Sequence, residues 1–267
     1  MRAKKSLGQN FLNSKTVAQD IVRAAMVIPA DTVLEIGPGK GSLTEEILKT
    51  GASVIAVEKD DRMIPLLSEK FANEIARGQF TLIHGDIVDI VEQGPTLAQI
   101  LKVGPSPRYK LIANIPYYLT GYILRAFLEA EEKPERMVLM IQKEVANRII
   151  ARNKKESILS LAVKAYGTPR IVKKVPARYF TPAPKVDSTV IAIENISNKN
   201  FKDKDEEKRF FEIVKTGFAH KRKLLAGNLK SIYGDRTSIL MSEKGIEPNA
   251  RAEDITLDKW LVLAREK

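Results

Sequence analysis

Through the first half of the chain, short apolar runs ending on glycine or a carboxylate alternate with amphipathic stretches. Val17, Ile21, Ala24 and Ala25 recur at helical spacing and Pro29 follows, so residues 14–27 are predicted to be a helix. Thr32–Ile36 is an apolar run closed by glycines, Ser53–Val57 ends at Glu58, and Phe80–His84 ends at Gly85-Asp86. Lys110–Ala113 and Met137–Ile141 are the next two strand-like runs. Leu43–Lys49, Arg62–Ala76, residues 95–102 and Gly121–Glu131 read as the intervening helices. The runs are continuous rather than alternating, which is the pattern of strands buried on both faces. The expectation is therefore a mostly parallel sheet with helices on both sides.

After Gln142 the rhythm changes. Residues 143–151 and 157–166 are predicted helical, and proline-bounded strands are expected near 170–175 and 187–193. Ser197–Asp205 is polar and charged, as a linker would be, and 206–267 reads as all helical with stops at Gly227, Gly234 and Gly245. This gives an α/β domain over 1–196 and a small all-α domain over 203–267.

Composition removes several classes of function. There are no cysteines, which excludes disulfides, zinc–thiolate sites and iron–sulfur clusters and suits a reducing compartment. His84 and His220 have no ligand-like spacing, so no metal is expected. No apolar window is long enough to span a bilayer. The basic start, Met1–Ser14, lacks the apolar core of a secretory signal, so a cytoplasmic protein is expected.

Charge adds a partner. Residues 142–185 hold eleven Lys/Arg and two acids, a net of +9, whereas 28–141 hold twelve Lys/Arg against sixteen acids, a net of −4. Such a cluster suits a polyanion. The candidate polyanion contacts are Lys143, Arg148, Arg152, Lys154, Lys155 and Lys185, with Lys221, Arg222 and Lys223 in the tail.

Gly37-Pro38-Gly39-Lys40-Gly41 lies between a strand and a helix, where glycines allow a tight turn and close approach of the backbone to a ligand. The dinucleotide fingerprint needs its last glycine where Ser42 stands, which weakens a nicotinamide reading without abolishing it. Glu58 closes the second strand, where it could accept two ribose hydroxyls. Asp86 closes the third, where it could accept from an adenine amine. A glycine loop followed by an acid at each of the next two strand ends resembles the class I S-adenosylmethionine methyltransferases.

Asn114-Ile115-Pro116-Tyr117 follows the fourth strand. The exocyclic amine of adenine is a poor nucleophile, because its lone pair is delocalised into the ring. Two acceptors, the Asn114 side-chain oxygen and the Ile115 carbonyl, could hold its hydrogens and aim the lone pair. Pro116 would stiffen Ile115, and Tyr117 could stack on the base. Phe180, before a proline-rich turn, could form the other face of an adenine sandwich.

The stretches GQNFL, EIGPGKGSLTEEIL, VIAVEKD, HGDI, NIPYYLT and YFTPAPKVDST occur in the order and spacing of the ribosomal RNA adenine dimethyltransferases, which this sequence resembles from Lys5 to its C-terminus. The tail, with FFEIVKTGFAHKRKLLAGNL and GIEPNARAEDITLDKW, is similar to the branch that dimethylates two adjacent adenosines near the 3′ end of small-subunit rRNA. The resemblance implies a Rossmann-like class I fold with a mostly parallel seven-stranded sheet. It also implies S-adenosyl-L-methionine as cofactor, small-subunit rRNA or a pre-30S-type particle as partner, and a monomeric enzyme. By the same resemblance, Asn10, Leu12, Gly37, Gly39, Gly41, Glu58, Asp86, Ile87 and Asn114 would hold the cofactor. Asn114, Ile115, Pro116, Tyr117 and Phe180 would surround the target adenine. The sequence departs from the family over Tyr118-Leu119-Thr120-Gly121-Tyr122, at the rim of the expected target pocket. Two alternatives remain on the same motifs: an erythromycin-resistance-type methyltransferase of large-subunit rRNA, and a non-catalytic transcription or assembly factor on the same fold.

Overall fold

A computed structural model describes residues 8–92 and 108–266. The helix expected at 95–102 lies outside them. Two compact units are formed, one from residues up to Ala146 together with Pro169–Ile196, the other from Asn147–Thr168 together with Ser197 onward.

The first unit is built on strand runs, most of them apolar and buried, with the edge runs at 80–84 and 168–175 largely half-buried or exposed. They form β2 (Thr32–Ile36), β3 (Ser53–Glu58), β4 (Phe80–His84), β5 (Tyr109–Asn114), β6 (Arg136–Gln142), β7 (Thr168–Val175) and β9 (Ser188–Glu194) of one seven-stranded sheet, in the order β4-β3-β2-β5-β6-β9-β7. Strands β2 to β6 pair in parallel, and β9 runs antiparallel to β6. The chain enters this sheet at β2, builds outward to β4 and then returns to place β5 on the other side of β2. That reversal leaves a crevice beyond the carboxyl ends of β2 and β5, where ligands of open α/β sheets bind. A second, two-stranded sheet pairs β1 (Phe11–Leu12) with β8 (Phe180–Thr181), setting Leu12 opposite Phe180.

Helix Lys15–Ala25 is capped by the Ser14 hydroxyl, which accepts from Val17 N–H at 3.3 Å. It buries Val17, Ala18, Ile21 and Val22 against β5, β6, β9 and the helix Ser42–Leu48. The stretch expected as one helix over Arg62–Ala76 is two, Met63–Lys70 and Ala72–Ala76. The break is at Phe71, whose buried ring packs edge-on against Phe80 at 5.2 Å. A short helix at Ile87–Glu92, not anticipated from the sequence, follows Asp86.

Apart from Thr168, which begins β7, the regular structure of the second unit's described residues is helical, joined by turns. The stretch 197–205, expected as a linker, contains buried Phe201 packed 5.6 Å from Tyr166, and its last two residues already belong to helix Lys204–Gly217. Gly217 has to be glycine, because a Cβ there would stand 2.3 Å from the Trp260 ring. Gly227, expected to end a helix, lies inside Leu225–Tyr233 with open space around it. Gly234 and Gly245 both adopt positive φ just past helix ends.

Candidate active site

The crevice beyond β2 and β5 opens into a cleft. It is lined by Gly8–Leu12, by Glu35–Lys40, by Val57–Lys59, by Gly85–Ile87, by Asn114–Leu119 and by Phe180. All of these belong to the first unit.

The glycine loop forms one wall. Gly37, Gly39 and Gly41 have φ of 69°, 57° and 73°, the left-handed region that costs any residue with a Cβ about 1–2 kcal/mol. Their surroundings differ. A Cβ on Gly37 would meet nothing within 4 Å, whereas one on Gly41 would stand 2.6 Å from the Phe71 ring. Gly37 and Gly39 line the cleft and Gly41 does not, so Gly41 serves the turn and its packing rather than the cleft wall.

Glu58, at the end of β3, is buried. Its Oε2 accepts from Gly39 N–H at 3.0 Å and its Oε1 from Asp60 N–H at 2.8 Å, so it ties the glycine loop to the turn after β3. Burial raises its pKa, and the two backbone donors oppose that shift. Each oxygen keeps acceptor capacity toward the cleft. Asp86, at the end of β4, accepts from Val88 N–H at 3.0 Å and is paired with Lys59. Burial acts to raise its pKa, but the Lys59 ammonium and the Val88 N–H outweigh burial and lower it.

Three cleft-region residues carry no assignment from the sequence. Glu35 stands among the apolar residues of β2 and is 1% exposed, with Oε2 unpartnered. Burial pushes its carboxyl up to about 8, and neighbouring Glu58 adds to the shift. A lone carboxylate inside a buried apolar run was the available signal. Asp60, also 1% exposed, accepts from Gln9 Nε2 at 2.7 Å and is clasped by Arg62, whose guanidinium holds it well below the usual carboxylate range. Nothing local in Lys59-Asp60-Asp61-Arg62 marks Asp60 or Gln9, because their contact joins distant segments.

Asn114 ends β5 beside Ile115, which is 2% exposed. The Asn114 Nδ2 donates to the Asn10 carbonyl at 3.1 Å, which leaves its Oδ1 as the acceptor at the cleft wall. Pro116 has φ −53° and ψ 130°, and the next residues form a 3-10 turn, Tyr117–Leu119. Leu119 N–H donates to the Pro116 carbonyl at 2.9 Å, and Thr120 Oγ1 donates to that of Tyr117 at 3.1 Å. The Tyr117 hydroxyl meets Ser188 Oγ at 2.9 Å, which fixes the ring from β9. The β1–β8 pairing carries Phe180 to the same cleft as Asn10 and Leu12.

Of the proposed RNA contacts, Lys143, Arg148, Arg152, Lys154, Lys155, Lys185, Lys221, Arg222 and Lys223 are all exposed. Lys155 is engaged by Asp254 and Glu253. Elsewhere in 142–185, Lys164 pairs with Glu156, Arg170 with Glu194 and Lys173 with Asp20. Most of those acids come from outside the segment, so its local charge overstates the positive surface that is free. In the second unit, buried Asn228 donates to the carbonyls of Gly217 at 2.6 Å and His220 at 3.2 Å, which orders the backbone leading into Lys221–Lys223. Among the described residues no cluster of His, Asp or Glu could hold a metal ion, and no helix is long and apolar enough to cross a membrane.

The sequence matches the family described as ribosomal RNA adenine dimethylase over residues 1–267. It is 43% identical over 266 residues to a protein of Dehalococcoides mccartyi named ribosomal RNA small subunit methyltransferase A, covering 98% of this chain and 88% of that one. A protein of the same name from Clostridium botulinum is 38% identical over 96% of this chain and 90% of its own length. Among solved structures, the 23S rRNA methyltransferase ErmE superposes with a TM-score of 0.77 at 24% identity, covering 96% of this chain and 98% of that one. A dimethyladenosine transferase from Plasmodium falciparum gives 0.76 at 22% identity, with 95% of each chain covered. Both share the fold of a class I methyltransferase with this chain. The glycine loop, the two acids at successive strand ends and the Asn-Ile-Pro-Tyr turn thus sit around one cleft in a chain that belongs to the ribosomal RNA adenine dimethylase family of methyltransferases.

Proposed function

We propose that the cleft binds S-adenosylmethionine beside a target adenine, and that the enzyme dimethylates the exocyclic amine of two adjacent adenosines near the 3′ end of small-subunit rRNA. The observation that carries this reading is the orientation of Asn114. Its amide donates to Asn10, so its carbonyl oxygen is the group left to accept from a substrate amine.

The residues present suit the cofactor. Gly37 leaves the backbone bare where a ligand must approach closely, Gly39 lines the cleft beside it under the Phe11 ring, and Glu58 keeps lone pairs for ribose hydroxyls. Asp86 and Ile87 stand at the next strand end for the adenine ring, while Asn10 and Leu12 line the cleft from the N-terminal side. The unpartnered Glu35 oxygen is a further polar group at the floor of β2. S-adenosylmethionine supplies a methyl group already activated on a sulfonium, so the protein's task is alignment more than proton abstraction.

The chain's own residues supply that alignment. Asn114 Oδ1 and the Ile115 carbonyl accept the two amine hydrogens, and this turns the nitrogen lone pair toward the methyl group. Pro116 restricts the carbonyl, while Tyr117 and Phe180 take the two faces of a base drawn out of its stack. Each transfer releases one amine proton to solvent, so after the first a single amine hydrogen remains and the second proceeds with one acceptor contact and a methyl in the other's place.

The small-subunit reading is supported by relatives at 43% and 38% identity that are named for that subunit. The test is methylation of purified ribosomal subunits lacking the modification, with positions mapped by mass spectrometry. Adjacent dimethyladenosines in small-subunit rRNA are expected. Modification found only in large-subunit rRNA would overturn the substrate assignment.

A further inference from the structure

Seven tyrosines, nine phenylalanines and one tryptophan make up the aromatic side chains, and all of them lie among the described residues. Only Tyr118 is exposed, at 62%, and it stands on the rim of the cleft. Its position follows from the local backbone. A 3-10 turn advances about 120° per residue, so neighbouring side chains on Tyr117–Leu119 point in different directions. Tyr117 is held inward by its bond to Ser188, and Tyr118 is left facing out. Its ring has support at one edge. A methyl group on Gly8 would sit 3.5 Å from Tyr118 Cε1, an ordinary contact distance, so Gly8 backs the ring at that edge. Lys59, half exposed, lines the same cleft.

We propose that Tyr118 is a stacking platform for the RNA base next to the target adenine, so that one base enters the cleft against Tyr117 while its neighbour rests on Tyr118 outside. The inference rests on the reading of the cleft as an adenine site. Single-stranded RNA is recognised largely through unstacked bases laid on aromatic rings, and a flipped base leaves its neighbour with one face bare. A rigid ring beside the cleft mouth covers that face at little entropic cost, because Tyr has few rotatable bonds.

The test uses the full chain, small ribosomal subunits lacking the modification, and an RNA oligonucleotide carrying 2-aminopurine beside the target adenine. Stacking on an aromatic ring corresponds to about a ten- to hundredfold change in affinity. Tyr118→Ala is expected to raise KM for the subunit by that factor and leave the calorimetric Kd for S-adenosylmethionine unchanged, which also shows that the variant is folded. Tyr118→Phe keeps the ring and should rescue the KM. Wild-type enzyme should quench the 2-aminopurine fluorescence, and Tyr118→Ala should not. A Tyr118→Ala enzyme with wild-type KM, or with full quenching, overturns the inference while leaving the assignment of the cleft intact. Wild-type enzyme that leaves small subunits unmethylated overturns that assignment, and this inference with it.

Discussion

Gly37 and Gly41 share the same backbone strain but differ in what surrounds them, which separates folding from ligand binding in one pair of substitutions. At both positions an alanine meets the left-handed penalty of about 1–2 kcal/mol. Restricting the unfolded chain returns about 0.4–1 kcal/mol in each case. At Gly37 nothing lies within 4 Å of the added methyl, so Gly37→Ala should lose at most about 1.6 kcal/mol of stability. At Gly41 the methyl would stand 2.6 Å from Phe71 Cε2, 2.9 Å from Cζ and 3.1 Å from Leu67 Cδ2. Phe71 is buried against Phe80 and cannot swing away, so overpacking adds about 1–3 kcal/mol. The order reverses for the cofactor. Gly37 lines the cleft, so its methyl occupies ligand space, and Gly37→Ala should weaken S-adenosylmethionine binding at least about tenfold, or 1.4 kcal/mol. Urea denaturation of both variants, with calorimetric titration of cofactor into the folded protein, measures the two quantities separately. Equal stability of the two variants, or wild-type cofactor affinity in Gly37→Ala, would refute the reasoning.

Three further outcomes follow from the same geometry. The native Glu35 carboxyl keeps its proton up to about 8, whereas the unfolded one loses it near 4.5, so the folded state binds more protons between those values and stability should fall as pH rises through that window. Glu35→Gln should remove a loss on the order of 3–5 kcal/mol across that range, seen as a flattened plot of unfolding free energy against pH. Alanine at Arg152, Lys154 or Lys185, none of which has an ion-pair partner among the described residues, should lower the slope of log K against log salt for rRNA binding by about 0.7–0.9 for each phosphate no longer neutralised; Lys155→Ala should change it least, because Asp254 and Glu253 already engage that ammonium. Tyr117→Phe keeps the stacking ring and gives up only the bond to Ser188, so single-turnover rates should fall less than for Phe180→Ala, which removes stacking of about 1–3 kcal/mol.

The strands of the first unit were legible because continuous apolar runs have few other homes in a chain of this composition. The candidate site at their carboxyl ends was legible as a cluster because the topology gathers those ends: Glu58, Asp86 and Asn114 stand at the ends of three strands of the sheet and line one cleft. Long-range pairing left no local trace. That Leu12 lies opposite Phe180 depends on a two-residue ladder between distant segments, and neither stretch has strand length by itself. Burial of Asp60 under Gln9 and Arg62 was hidden in a run of charges for the same reason. The helix break at Phe71 reflects a tertiary preference, the ring's packing on Phe80, overriding a sequence that would otherwise continue as helix. Gly227 resembles a helix stop in the sequence, yet a helix tolerates a glycine with open space around it at a cost of about 1 kcal/mol. The basic stretch was visible in the sequence, but the acids that neutralise part of it, Asp20, Glu194 and Asp254, were not.

The central claim is that the cleft transfers two methyl groups to one adenine amine held by Asn114, and nucleoside mass spectrometry of small-subunit rRNA after timed reaction tests it most directly. Wild-type enzyme should pass through N6-methyladenosine and accumulate N6,N6-dimethyladenosine. Asn114→Ala, with cofactor affinity measured alongside, should be slowed about a hundredfold or more, as expected on removing a preorganised polar group that faces the reacting atom. Wild-type enzyme that stops at the monomethyl product, or an Asn114→Ala enzyme that forms dimethyladenosine at the wild-type rate, would contradict the account.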